Sequence, residues 1–447
     1  MTTALIILGA GMGTRMNSDL PKVLHQIAGA PMLVHAMKSG AALDPAHTVI
    51  VAGHGADRVE TAAKAYDPDV TVAIQSEQLG TAHAVSQARD ALAGFDGDAL
   101  VLYGDTPFIR AETLAAMTAA RLTHDIVVLG FEAADPGRYG RLILKDDQLD
   151  RIVEYKEATD EERSVKLCNS GVVAANAATL FDLIDAVGND NAAGEYYLTD
   201  IIGIARARGL SATVVRCAEA ETLGINSRAE LAKAEALFQA NARQMAQEDS
   251  VTLVAPETVY FAHDTVVGRD TVIEQNVVFG PDVTIESGTT IRAFSHLEGC
   301  HVSRGSVVGP YARLRPGAEL AENVKVGNFV EIKNAQIAAG AKVNHLSYIG
   351  DATIGARSNI GAGTITCNYD GVFKHHTTIG DDVFVGSNTM LVAPVTVGNT
   401  AMTASGSVVT RDVPAGDLAV ARGRQENKAG FAVRLFEKLR ALKAKGS

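Results

Sequence analysis

The sequence predicts an α/β domain with a mainly parallel sheet, followed by a parallel β-helix built from six-residue repeats. Three observations carry this. Short apolar runs alternate with amphipathic stretches through the first half, the pattern of strands and helices in a parallel α/β sheet. From about Val251 the hydrophobic period becomes six. The chain has 447 residues, beyond the size at which one core keeps growing, so two or three domains are expected.

In the first half the runs are ALIILGAG at the N-terminus, Val49 to Val51, Val70 to Ile74, Ala99 to Leu102 and Ile126 to Phe131. The first is too short for a signal-peptide core or a membrane span and reads as a strand. Several runs end in a polar or glycine-rich segment: GAGMGTR, GHG, QSEQLGTAH and YGDTP. Parallel sheets bind ligands at the carboxyl ends of their strands, so these four loops are expected to converge. Ser227 and Glu230 then form a capping-box pattern, and Leu231, Ala234, Phe238, Ala242 and Met245 follow at helical spacing, which predicts a linker helix over 228–248.

The six-residue series runs through Val267, Ile273, Phe279, Ile285 and Ile291, and resumes at Val308, Leu314, Leu320, Val326 and Ile332. Val343, Ile349, Ile354, Ile360, Ile379, Val385, Leu391 and Val397 continue it. One unit cannot close a core, but three per coil bury their aliphatics in a prism with stacked backbone hydrogen bonds. A β-sandwich would instead place turns every eight to twelve residues or so. The long gap between Ile365 and Ile379 contains CNYDGVFKHH and reads as a loop extruded from the solenoid. After 420 the chain is basic, with Arg422, Arg424, Lys428, Arg434, Lys438, Arg440, Lys443 and Lys445 against Glu426 and Glu437. A solvated terminal helix is the plain reading of that tail.

The 40 Lys and Arg against 52 Asp and Glu give a net charge of -12, which argues against a chain-wide nucleic-acid or membrane footprint. Cys168, Cys217, Cys300 and Cys367 are far apart and show no CxxC spacing. Neither a zinc site nor a disulfide framework follows, and reduced cytoplasmic thiols are expected.

The segment LGAGMGTRM follows a strand and has glycines at 9, 11 and 13, so successive backbone N–H groups can turn around an anion. Thr14 stands where a Rossmann fingerprint needs its third glycine, and no Walker lysine follows. Arg15 and Lys22 flank this cradle, as neutralising a triphosphate requires. Seen singly, Asp105 reads equally as a loop cap, Asn169 and Asn226 as turn residues and Glu154 as a surface carboxylate.

Together with SDLPKVLH, QSEQLGTAHA, YGDTP, GRYGRLI, VEYKEAT, CNSGV and LGINSR, the loop resembles the nucleoside-triphosphate:sugar-1-phosphate nucleotidyltransferases. Within them it is most similar to bacterial N-acetylglucosamine-1-phosphate uridylyltransferases. The resemblance implies a Rossmann-like domain over 1–227. Leu8, Gly9, Ala10, Gly11 and Lys22 would lie against UTP, Gln75, Gly80 and Thr81 would read uracil, and Tyr103, Gly104 and Asp105 would complete the nucleotide site. Gly140, Glu154 and Asn169 would hold N-acetylglucosamine, while Asp105 and Asn226 would bind Mg2+, a metal suited to hard oxygen ligands. Arg15 and Lys22 then stabilise charge during attack of the sugar phosphate on UTP. Gly9 and Met12 depart from the usual residues of the family.

The segments ARLRPGAEL, NFVEIKNA, NHLSYIGDA, NIGAGTITCNYDG and DDVFVGSNT resemble the acetyltransferase half of the bifunctional members of that family. This implies a left-handed β-helix over 249–420, a basic tail over 421–447 and a homotrimer with sites shared between subunits. Arg315 and Lys333 would bind the phosphate of glucosamine-1-phosphate, Tyr348 and Asn359 its sugar, and His345 would be the general base. Ala362, Asn368, Tyr369, Ser387, Ser405 and Arg422 would line the acetyl-CoA groove, with Ser405 standing where relatives commonly carry Ala. The residues agree on their own terms. Histidine is the side chain that titrates near operating pH, and Arg315 and Lys333 are one 18-residue coil apart, so they should share a face. His296, His301, His375 and His376 compete with His345, but no third ligand at metal spacing accompanies the adjacent pair.

The implied function is acetyl transfer from acetyl-CoA to glucosamine-1-phosphate, then uridylyl transfer from UTP, giving UDP-N-acetylglucosamine for peptidoglycan and lipopolysaccharide precursors in the cytoplasm. One rival is a single-function sugar-1-phosphate nucleotidyltransferase with a regulatory β-helix. Another is a non-catalytic module like the translation-factor subunits of similar architecture, which tend to lose the loop cations and the metal carboxylate.

Overall fold

The computed structural model describes residues 2–146, 148–191 and 193–445. It divides into two compact units, Met1–Ala242 with Phe261–His263, and Arg243–Tyr260 with Asp264–Ser447. The division falls inside a 21-residue helix, Arg228–Glu248.

In the first unit the seven-strand path of the sheet runs Ala212–Cys217, Ile126–Glu132, Leu167–Asn176, Asp98–Tyr103, Thr3–Leu8, His47–Ala52 and Thr71–Ile74. All neighbours are parallel except Leu167–Asn176, which is antiparallel on both sides. A hairpin, Arg141–Lys145 with Gln148–Val153, hangs from that strand. Apolar side chains alternate between the faces, so Ala4, Ile6 and Val101 enter one core and Leu5, Ile7 and Leu100 the other. Thr3–Leu8 is buried throughout, as a central parallel strand covered on both faces must be.

The expected runs are strands, but the sheet strands Leu167–Asn176 and Ala212–Cys217 and the hairpin were not among them. The helix Arg228–Glu248 packs Leu231, Ala234 and Phe238 against Ile27, Met32 and Ile225. Met245, placed on the same apolar face by spacing, is exposed, because that packing ends near Phe238. Its capping box is half formed. Ser227 Oγ accepts from Glu230 N–H at 3.3 Å, while the Glu230 carboxylate accepts from Asn226 N–H at 2.7 Å.

The second unit is the hexapeptide solenoid, a left-handed parallel β-helix. Short strands, mostly of two to four residues, pair in parallel with the coil before and the coil after, as in the series Val272, Thr290, Val307, Lys325, Lys342, Asn359, Phe384, Met402 and Leu418. The hexad aliphatics from Ile273 to Val397 are buried. Small residues, among them Thr289, Ser306, Ser358 and Ala401, fill the interior before strands. Their hydroxyls are satisfied by backbone: Ser306 Oγ donates to Ala321 O at 3.0 Å and accepts from Val324 N–H at 3.0 Å. At one corner Phe294, Tyr311 and Phe329 stack on successive coils, with ring centroids 4.9 and 5.2 Å apart, and all three are exposed. Residues 368–376 leave the solenoid as a loop. Asn359 pairs with Phe384, 25 positions on, where the next coil takes 18.

Candidate functional site

The glycine-rich turn leaves the end of Thr3–Leu8. Its backbone is fixed from behind by Gly9 N–H donating to Val51 O at 2.8 Å, and Gly53 packs against Ala10 so closely that a Cβ there would sit 2.8 Å from Ala10 O. The loop GHG therefore buttresses the cradle and does not line it, a correction to the expected convergence of four loops. Gly9 itself has ordinary room for a methyl group, 3.5 Å from its nearest neighbour, so the departure from Ala there leaves the cradle intact.

Leu8, Gly9, Ala10, Gly11, Lys22, Gln75, Gly80, Thr81, Tyr103 and Asp105 line one cavity of about 310 Å³, joined by Gln78, whose amide donates to Ala10 O at 2.7 Å. Gly104 lies under it, donating its N–H to Leu8 O at 2.9 Å. Gln75 is buried and donates to Gly80 O at 3.3 Å. Lys22 Nζ donates to Asp105 Oδ2 and, at 2.5 Å, to Asn226 Oδ1. Ile225 N–H donates to Asp105 O at 3.0 Å, so two distant segments are locked where they meet the lysine. Arg15 is exposed on the turn Thr14–Met16 and is not among the residues lining this cavity.

A second cavity of about 470 Å³ shares Thr81, Tyr103 and Glu195 with the first and is lined by Arg138, Glu154, Asn169, Tyr197 and Thr199. Gly140 sits beside Glu154, with room for a Cβ only 3.4 Å from Glu154 Oε1, and its carbonyl accepts from Asn169 N–H at 2.9 Å. Burial raises the Glu154 carboxyl above its ordinary range, opposed by the Thr199 hydroxyl bond at 3.3 Å. Burial also raises the Tyr103 phenol, with Asp105 and Glu154 adding to it. Gln78, Glu195, Tyr197 and Thr199 were not singled out from sequence; Gln78 lies within the quoted segment QSEQLGTAHA, and no motif marks the other three.

On the solenoid, Arg315 and Lys333 follow the paired residues Leu314 and Ile332, so the one-coil spacing does place them in register. Arg315 also donates to Glu331 at 2.8 Å. Lys333 is held below the ordinary lysine range first by the neighbouring Lys374 amine, then by burial and Arg315. Lys374, on the extruded loop, is the cation that sequence reasoning missed. Between them Asp351 accepts from Asn334 at 2.6 Å and from Asn368. Burial works to raise its carboxyl, but these amide bonds and the two lysines outweigh that and hold it low.

His345 ends the strand Lys342–His345, is exposed, and faces Asn328 one coil earlier. Tyr348 opens the next strand. Because Lys342, Asn359, Phe384 and Met402 are partners in turn, His345, Ala362, Ser387 and Ser405 occupy one column on successive coils. Arg422 donates to Ser405 O at 2.8 Å at its foot, while Tyr369 stands exposed on the extruded loop. Asn359 is half-buried and opens the strand Asn359–Ile360, three residues before Ala362 on the same coil. Of the competing histidines, His301 lies between Glu286 and Glu319, His375 bonds Asp370 and His376 bonds Thr353. Among the described residues no group of three or more His, Cys, Asp or Glu side chains could hold a metal.

Residues 5–185 match the MobA-like NTP transferase domain, residues 264–299 the bacterial transferase hexapeptide family and residues 297–407 the GMPPB C-terminal domain. Full-length similarity is higher. The chain is 71% identical over 444 residues to the bifunctional protein GlmU of Ruegeria pomeroyi, covering 99% of each. It is 68% identical to that of Ruegeria sp. (strain TM1040), again over 99% of each, and to that of Roseobacter denitrificans, over 100% of this chain and 99% of the relative. With two cavities on one half, a polar column on the other and this likeness from end to end, the chain belongs to the family of bifunctional GlmU proteins.

Proposed function

We propose that residues 1–227 transfer a uridylyl group and residues 249–420 an acetyl group, each through the side chains described above. The chain is a bifunctional enzyme of UDP-N-acetylglucosamine synthesis with uridylyltransferase and acetyltransferase activities. Its substrates are sugar phosphates and nucleotides, used with a divalent metal. A nucleotidyltransferase with a merely regulatory solenoid is not favoured. The observation that carries this reading is that one chain keeps both the Lys22, Asp105, Asn226 cluster beside the glycine cradle and the His345 column beside Arg315 and Lys333.

In the first reaction a glucosamine-1-phosphate amine attacks the thioester carbonyl of acetyl-CoA. The C–N bond forms and the C–S bond breaks; His345 takes the amine proton and passes it to the departing sulfur, so coenzyme A leaves as the thiol. The Asn328 amide oxygen at His345 Nδ1, 3.1 Å away, favours the tautomer protonated there and leaves Nε2 basic. Arg315 and Lys333 hold the phosphate, Tyr348 and Asn359 the sugar, and Ala362, Asn368, Tyr369, Ser387, Ser405 and Arg422 the coenzyme.

In the second reaction an oxygen of N-acetylglucosamine-1-phosphate attacks the α-phosphorus of UTP in line and expels pyrophosphate, with no protein nucleophile. Loop amides from Leu8 to Gly11 cradle the phosphates, Gln75, Gly80 and Thr81 take the base, and Gly140, Glu154 and Asn169 orient the sugar. Lys22 and Arg15 offset phosphate charge. The metal is Mg2+. Asp105 Oδ2 and Asn226 Oδ1 are hard oxygens already converging on one cationic atom, Lys22 Nζ, and a divalent ion held by that pair supplies charge neutralisation to the phosphates.

A homotrimer in the cytoplasm completes the reading. It is supported by the exposed stack of Phe294, Tyr311 and Phe329, which continues to exposed Leu346 beside His345 and suits a subunit seam better than water. The experiment supplies glucosamine-1-phosphate, acetyl-CoA, UTP and Mg2+, and follows thiol and pyrophosphate separately. Both are expected, in that order of dependence; pyrophosphate formed without thiol would overturn the acetyltransferase half.

A further inference from the structure

The last element of the chain is a 15-residue helix, Phe431–Lys445. It follows an exposed irregular stretch, and no described residue from Ala421 to Lys445 is buried. At about 100° per residue, Phe431, Ala432, Leu435, Phe436, Leu439 and Leu442 fall within an arc of about 140°. Phe436 is 58% and Leu442 57% exposed. Arg434, Lys438 and Lys445 edge that arc on one side and Arg440 on the other, while Lys443 sits within it between Ala432 and Phe436, and Glu437 is the single acid.

An apolar arc edged by long basic side chains is the pattern of a helix that lies in a lipid interface, its aliphatic and aromatic groups among acyl chains and its cations reaching up to anionic headgroups. We propose that Phe431–Lys445 docks the enzyme peripherally on an anionic phospholipid surface. Charge decides between this occupant and a matching helix from a second copy. Five cations to one acid on each helix would set like charges against each other along both edges of a helix pair, whereas an anionic bilayer complements them. The helix lies on the surface and does not enter, since among the described residues no helix is long and apolar enough to cross a membrane. The net charge of -12 for the whole chain repels the catalytic body from the same surface, so the basic tail acts as a tether. The expectation of no membrane partner was drawn from that overall charge and does not reach this local reversal.

The test is sedimentation of the full chain with vesicles of phosphatidylglycerol and phosphatidylcholine, against phosphatidylcholine alone, at low and high salt. Binding is expected only to the anionic vesicles and is weakened by salt. Lys438→Gln with Lys443→Gln is expected to lower partitioning about thirtyfold. Phe436→Glu with Leu439→Glu abolishes it, while pyrophosphate release in solution stays unchanged in both variants. Equal binding to neutral vesicles, or undiminished binding by the glutamate pair, would overturn the proposal. So would a glutamate pair that changes the molar mass by light scattering without lipid, which would assign the face to a second copy.

Discussion

His345 Nδ1 lies 3.1 Å from Oδ1 of Asn328, its in-register neighbour one coil earlier. The bond sets which ring nitrogen carries the proton and which is left to accept one. Asn328→Ala is expected to lower kcat for acetyl transfer about tenfold, the worth of one hydrogen bond, with KM little changed. Pyrophosphate release serves as the internal control.

Asp105 and Lys22 form the corresponding pair in the other half. Asp105→Ala is expected to cut uridylyl transfer at least about a hundredfold and leave thiol release intact, and a chelator should reproduce that split in the unaltered protein. His345→Ala should give the reverse pattern. Loss of both activities from either change would indicate misfolding.

Glu154, proposed to orient the sugar, also bears on stability. Burial raises its carboxyl in the folded state, so the native protein holds that proton more tightly than the unfolded chain, and stability is lost as pH rises through the raised value. Glu154→Gln cannot ionise and escapes the loss. Thermal melts should coincide near about pH 4 and separate toward pH 7, about where carboxylates are ordinarily charged, with the variant the more stable. Its KM for N-acetylglucosamine-1-phosphate should rise.

The phosphate contact proposed for Lys333 requires its amine protonated, and Lys374 is the first cause of its lowered pKa. Affinity for glucosamine-1-phosphate is therefore expected to fall as pH rises through the depressed lysine value. In Lys374→Met that fall moves to higher pH, while affinity at neutral pH drops for want of the second ammonium. Equilibrium binding across a pH series measures both.

The aromatic corner carries a prediction for assembly. Tyr311→Glu puts a carboxylate between Phe294 and Phe329. It is expected to lower the oligomer mass seen by light scattering and to remove acetyl transfer, with uridylyl transfer kept.

What was legible in the sequence divides along physical lines. A six-residue period is a property of each coil, so the buried aliphatics from Ile273 to Val397 stood out unaided. Arg315 and Lys333 could be placed together because that coil is eighteen residues long. The column of His345, Ala362, Ser387 and Ser405 could not, since its steps are 17, 25 and 18. Lys374 was hidden for the same reason, because nothing in the period says where an extruded loop returns. In the first half, buried runs such as Thr3–Leu8 read clearly, whereas Leu167–Asn176 is broken by a bulge between Asn169 and Val173. Gly140, Glu154 and Asn169 entered only through family resemblance. The pairing of Glu230 with Asn226, in place of a full capping box, shows a helix start diverted to hold a candidate metal ligand.

The extruded loop also sets what length changes this chain can accommodate. Successive coils are spaced by about 4.8 Å, so the column is a ruler marked in whole coils. An insertion at a corner, like the detour at 368–376, leaves every later mark in place, and Val385 and Leu391 remain buried beyond it. A single residue gained or lost within a strand would turn all following hexads inside out and carry Ser387 and Ser405 off the edge they share with His345. Length variation among descendants of this gene should therefore collect at corners, and an engineered change of reach between the two ends of the column should come in units of one complete coil.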